Sequence, residues 1–182
     1  FSRAGGMEFT SSNMNVDTAY VEKLRAIDGV ASAVPVGRYI TPNTKGRFGV
    51  LQLDGDDWEP FAAMNEMRLV AGRGATAVNE VILDARQFRE DKVSLGDEIE
   101  LFGGKKYKVV GVFEPPSGSR IKMSMAAMQD ALGAPDKCTY ILVKLKDGAD
   151  TDAVAAAINA KLPGNKINLT RELVIDAQER IP

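Results

Sequence analysis

In the stretch Asp17-Thr18-Ala19-Tyr20-Val21-Glu22-Lys23-Leu24-Arg25-Ala26-Ile27-Asp28-Gly29-Val30, the apolar residues Tyr20, Val21, Leu24 and Ile27 recur at three- and four-residue steps. That spacing puts them on one face of a helix. Asp17 predicts the N-cap, because its carboxylate can accept a hydrogen bond from a free amide of the first turn. Gly29 predicts the stop, since glycine takes left-handed backbone without a Cβ penalty. Val30 to Ile40 then reads as a strand, broken or edged by Pro35, which has no N–H to give a ladder. Upstream, Met7 to Ser11 alternates in the manner of a first strand.

The other end of the chain repeats this order. Cys138 to Leu145 reads as a β-branched strand. Asp150 predicts a helix cap, Val154, Ile158 and Leu162 lie four residues apart, Pro163-Gly164 stop the helix, and Lys166 to Thr170 predicts a strand. Two such units face to face make a split βαβ sandwich, with two helices on one side of a sheet. Phe48 to Leu53 predicts a partner for the strand at 30–40, joined to it through Thr41-Pro42-Asn43.

The middle of the chain changes character. Asn79 to Leu83 reads as a strand and Asp84 to Glu90 as a helix. Glu98 to Phe102 and Lys106 to Phe113 flank Gly103-Gly104, a hairpin signal. Pro115 to Ser119 reads as a linker, followed by a helix from Met125 to Leu132, capped by Ser124 and closed by Gly133. The expected class is α+β, with residues 1–65 and 115–182 forming one discontinuous subdomain and 66–114 an inserted β-rich one. Trp58 to Asn65 matches none of these patterns.

The totals restrict function. The chain has 182 residues, 45% hydrophobic and 26% charged, which suits a globular body with a sizeable core. A net charge of -2 offers no basic surface for nucleic acid, and 7% aromatic residues offer few stacking platforms. No apolar run reaches the roughly 20 residues of a spanning helix, and no signal peptide is visible. The chain opens on Phe1-Ser2-Arg3 and closes on Ile181-Pro182, which reads as a piece of a longer protein whose membrane segments lie outside it.

Chemistry finds little to work with. There is no histidine, so a Ser-His-Asp or Cys-His arrangement cannot be built within the chain. Cys138 is either a nucleophile or redox sensor, or a small buried residue opening a strand. The second reading is favoured, because no activating base stands near it in sequence. Asp54-Gly55-Asp56-Asp57 with Glu59 could gather calcium, but lacks the alternating spacing of an EF-hand loop and reads more simply as an acidic turn. Gly72-Arg73-Gly74 and Gly103-Gly104-Lys105 lack the P-loop spacing and read as turns. Ser117-Gly118-Ser119 reads as linker. Met123, Met125 and Met128, with Met64 and Met67, could form an adaptable binding surface or pack in the core; core packing is favoured. No catalytic, cofactor-binding or metal-binding residue is expected, and the sequence assigns no partner-binding residue.

Several stretches carry a likeness. Val21 to Val30, Leu69-Val70-Ala71-Gly72-Arg73, Asn79-Glu80-Val81-Ile82-Leu83, Leu95 to Leu101 with Gly103-Gly104 and Tyr107 to Phe113, and Leu142 to Asp150 stand in the order of one known family. The chain resembles the periplasmic core domain of MacB-type ABC permeases, a group that takes in FtsX-like and lipoprotein-releasing permeases. The resemblance implies a porter-like subdomain from the two ends and an inserted Sabre-like subdomain. It implies a place between two membrane helices, on the periplasmic or outer face of the inner membrane. It also implies a separate ABC ATPase, a dimer in the full transporter, and an adaptor, lipoprotein or peptide as partner. The expected work is to recognise a substrate or partner and relay ATP-driven motion, without catalysis or cofactor. The alternative is a free-standing periplasmic or extracellular binding module. A hydrolase using carboxylates alone would need an acid pair lining a cleft, which sequence cannot place.

Overall fold

The computed structural model describes residues 14–42, 50–163, 166–169 and 173–176. In chain order the elements are β1 (Val16–Asp17), α1 (Tyr20–Arg25), β2 (Val30–Pro42), β3 (Val50–Gly55), α2 (Trp58–Asn65) and β4 (Arg68–Gly72). Then come β5 (Glu80–Asp84), α3 (Ala85–Asp91), β6 (Glu98–Leu101), β7 (Lys105–Glu114) and β8 (Ile121–Met123). The chain continues through α4 (Met125–Leu132), β9 (Lys137–Cys138), β10 (Tyr140–Leu145), α5 (Thr151–Lys161), β11 (Lys166–Leu169) and β12 (Leu173–Asp176). Helices and sheet are mixed, as the α+β expectation requires.

Among the described residues, ten strands form one sheet in the order β11-β12-β10-β2-β3-β8-β5-β7-β4, with β6 also on β7. The two ends of the chain meet directly. β2 runs antiparallel to β10, from Val36 opposite Tyr140 to Val30 opposite Leu145. Pro35 does not break β2. It faces Ile141 in the half of the strand that pairs with β10, while β3 pairs only with Gly37 to Pro42. A missing N–H is tolerated where the strand has a sheet neighbour on one side only.

The strand expected over 138–145 is divided. β9 turns away to pair with β1, and β10 joins the main sheet. Thr139 makes the corner: its amide donates to the Val36 carbonyl at 2.8 Å, and its hydroxyl accepts from the Arg38 amide at 2.8 Å. The strand expected over Met7 to Ser11 lies outside the described residues, as does Phe48-Gly49 at the start of the strand expected at 48–53.

Local signals placed the caps of α4 and α5. Ser124 Oγ accepts from Ala127 N, and Asp150 Oδ1 from Asp152 N and Ala153 N. Asp84 Oδ1 caps α3 by accepting from Gln87 N, so this residue closes a strand rather than opening the helix. Asp17 is not the cap of α1. Its Oδ1 accepts from Ala19 N at 2.9 Å and closes the turn ahead of the helix. Gly29 (φ +92°) turns the chain into β2 after the helix has ended at Arg25, and a Cβ there would lie 2.7 Å from Val154 Cγ2.

The sheet buries both faces. On one lie Leu24, Val21 and Ile27 of the α1 segment, Val154 and Ile158 of α5, and Met125 and Met128 of α4, packed on Val30, Ala33, Leu53, Ile141 and Val143. The same cluster runs on through Val81, Leu83, Val109 and Tyr107. The middle strands therefore share a core with the ends and continue their sheet past β8. Burying a side chain such as Leu24 fully contributes about 1.5–3 kcal/mol. On the opposite face α2 places Phe61, Ala62 and Met64 over Val34, Val36, Ile82 and Phe113.

Candidate functional site

Alternation along the strands puts charge on the α2 face. In β8, Ile121 and Met123 join the larger core, so Lys122 between them points to the other side. In β3, Leu53 faces the larger core and Asp54 the α2 side. Lys122, Asp54 and Asp56 are 1%, 0% and 3% exposed. Ionised groups so deeply buried must be paired to survive the loss of water.

The pairing is dense. Arg38 on β2 lies opposite Asp54 in the strand register. Its Nε donates to Asp54 Oδ1 at 2.8 Å and its Nη2 to Oδ2 at 3.0 Å. Nη2 also donates to the Tyr140 hydroxyl on β10 at 3.0 Å. Ser119 closes the carboxylate from the loop side, its amide reaching Oδ2 at 2.9 Å and its hydroxyl Oδ1 at 2.7 Å. Lys122 Nζ lies 3.0 Å from Asp56 Oδ2 and 3.7 Å from Asp54 Oδ2, over the Phe61 ring at 4.0 Å from its centroid.

The environment sets the two acids apart. Burial works against charge on Asp54, yet the Arg38 bonds, the Arg38 and Lys122 charges and Ser119 hold its carboxyl below the usual range. Burial likewise opposes the charge on Arg38, but Asp54 holds its guanidinium above its ordinary value. Burial pushes Asp56 up to about 6 in spite of Lys122, and the charges of Asp54 and Asp57 push the same way.

Residues from β2, β8 and the loop at 115–120 thus converge on the Asp54 carboxylate of β3, and Tyr140 of β10 joins them through Arg38. Gly118 makes this closure feasible: at φ +76°, its missing Cβ would sit 2.6 Å from Asp54 Oδ2 and 3.0 Å from Lys122 Nζ. The arrangement is an electrostatic clamp. Its acids are committed to internal cations, and among the described residues no group of three or more Asp, Glu or Cys is set to hold a metal ion.

The sequence matches the family described as the MacB-like periplasmic core domain over residues 2–161. The chain belongs to that family. MacB-like core domains are periplasmic parts of ABC transporter permeases. The chain is similar to the periplasmic region of MacB from Actinobacillus actinomycetemcomitans, with TM-score 0.65 and 16% identity over 82% of this chain and 73% of that one. It is also similar to a domain of a putative permease protein from Porphyromonas gingivalis, with TM-score 0.61 and 13% identity over 93% and 84%. At these identities the likeness is one of fold. No curated protein matches the sequence.

The remaining sequence candidates in this MacB-like domain sit in the core, along strands and in turns. Cys138 is fully buried, and burial pushes its thiol up to about 12, so it packs rather than attacks. Met64, Met67, Met123, Met125 and Met128 are all buried. Arg73 holds Glu80 through Nη1 at 2.8 Å, and Gly72 lets β4 lie against the Val110 carbonyl, 2.1 Å from where a Cβ would be. Gly103 and Gly104 turn the β6–β7 hairpin. Within the linker expected at 115–119, Ser119 is a buried ligand of Asp54. Sequence reading missed Arg38, Lys122 and Tyr140. The one available signal was a lone lysine between Ile121 and Met123, and alternation alone assigns such a residue to solvent.

Proposed function

We propose that this MacB-like domain is a non-catalytic extracytoplasmic domain of an ABC transporter permease, and that it recognises a substrate or partner protein and relays ATP-driven motion across the membrane. Membrane helices of the same permease would hold it, a separate ABC ATPase would drive it, and the transporter would work as a dimer. An adaptor, lipoprotein or peptide is the partner class.

The observation that carries the reading is the β2–β10 pairing. It fastens early and late chain to each other over six register partners, so a push at either end moves one packed body. Packed layers shift as units rather than deform. Within it we read β1-α1-β2 and β10-α5-β11 as a porter-like split βαβ sandwich built from 1–65 and 115–182, and 66–114 as a Sabre-like insertion. In support, β4, β5, β6 and β7 pair with one another, and among the described residues they reach the rest of the sheet only through the two register partners of β5 and β8.

The experiment is surface labelling of the full-length native protein in intact cells. Val78 is 52% exposed and Cys138 fully buried, so Val78→Cys adds one accessible thiol to this domain, read against the unsubstituted protein. A membrane-impermeant maleimide should label it in whole cells, with the labelled protein in the membrane fraction. Labelling only after lysis would overturn the proposal. Labelled protein released with the soluble periplasm would favour the free-standing binding module.

A further inference from the structure

We propose that the Asp56–Lys122 pair is a proton-sensitive joint, which grips β8 more firmly when Asp56 is protonated than when it is charged.

The geometry singles out one acid. Among the described residues, β8 is the only strand joining β3 to β5. It contributes three register partners to β3 and two to β5. Lys122 is its central residue. The groups facing Asp56 are Lys122 from β8, Asp54 from β3, the exposed Asp57 next in the chain, and Arg38 from β2 beyond Asp54. Three acids thus meet two cations. Arg38 is committed to Asp54 by two bonds, and Ser119 gives Asp54 two more. α2 adds only the Phe61 ring over Lys122, and α4 offers the Met125 amide to Asp57 rather than to Asp56. Among the described residues, the single side-chain bond to Asp56 comes from Lys122, which also lies within 3.7 Å of Asp54. A carboxylate so buried, beside like charge and with a shared cation, is the one that takes a proton first.

The direction follows from linkage. A group that holds its proton more tightly in the closed seam than in water favours the closed seam when protonated. The raised Asp56 value agrees with the geometry. Opening of the seam lets Asp56 ionise in water, so it becomes easier as pH rises through about 6. The joint would thereby set how freely the middle strands move against the ends. This holds wherever the chain resides.

The test is hydrogen exchange on the folded 182-residue chain between about pH 5 and about pH 7.5, corrected for the intrinsic rate. The amides of Asp84 and Asp56, which bond the Arg120 and Met123 carbonyls, report the seam. They should exchange about ten-fold more slowly at the lower pH, the ratio expected for a carboxyl at about 6 in the closed state and at its ordinary value in the open one. Amides of the β2–β10 ladder should not follow. Asp56→Asn, which resembles the protonated acid, should hold the seam at its acid-state protection throughout. Should that variant not fold, the carboxyl-carbon titration of Asp56 in the wild-type chain decides, with a midpoint near 6 expected. Seam exchange that ignores pH, equal change in the β2–β10 ladder, or an Asp56 midpoint near 4 would each overturn the proposal.

Discussion

Arg38 and Asp54 face each other across β2 and β3 as register partners and share two parallel hydrogen bonds, the planar guanidinium matching both carboxylate oxygens. Asp54 is fully buried and Arg38 has 27% of its side chain exposed, so solvent cannot replace either bond on the acid.

Removing one partner should therefore cost more than removing both. Arg38→Met or Asp54→Asn alone is expected to lower unfolding stability by ~3–5 kcal/mol, because each strands a buried charge. The double variant Arg38→Met/Asp54→Asn should cost clearly less than the sum. Urea melts of the four proteins give the coupling energy, and additive losses would contradict the clamp.

Gly118 should tolerate no side chain. Gly118→Ala puts a Cβ against Asp54 and Lys122 on backbone at φ +76°, and a loss of ~2–4 kcal/mol is expected from strain plus the displaced Ser119 bonds. Gly133→Ala is the control. Its φ is +62°, but nothing lies within 4 Å, so only the backbone term of ~1 kcal/mol remains. Thermal melts should rank them in that order.

Acid should weaken the domain through Glu80 as well as Asp54. The Arg73 bonds, then the Ala77 and Thr76 amides, hold the Glu80 carboxyl well below its ordinary value. A depressed carboxyl contributes stability above its unfolded value and loses it as pH falls through the folded one. Glu80→Gln is expected to cost ~1.5–3 kcal/mol at neutral pH and to flatten the decline below about pH 4. Urea midpoints across pH test this, and an unchanged acid slope would count against it.

Cys138 should be inert while the protein is folded. With its thiol pushed from 9 to about 12, the thiolate fraction at about pH 8 falls roughly a thousandfold. A disulfide reagent should release no colour from native protein and one equivalent in concentrated guanidinium. Rapid reaction in the native state would show the site open.

What could be read from the chain was local. The caps at Ser124 and Asp150 and the hairpin around Gly103-Gly104 depend on residues within one turn of each other. α2 escaped because its signals are atypical. Asp57 precedes it without a capping bond, Pro60 sits in its first turn, and Glu66, not glycine, takes the left-handed stop. β8 escaped because it is three residues long with a lysine at its centre. The corner at Thr139 escaped because it is set by bonds to β2, some hundred residues earlier in the chain.

Sequence alone settled the helix stripes of α1 and α5, the stop at Gly133 and the family, because turn chemistry and apolar spacing act over a few residues. Only the tertiary structure decided that Asp54, Asp56 and Lys122 are buried together, across 66 residues of chain. Whether a charge is solvated or enclosed depends on what distant strands place around it, and no local pattern encodes those neighbours.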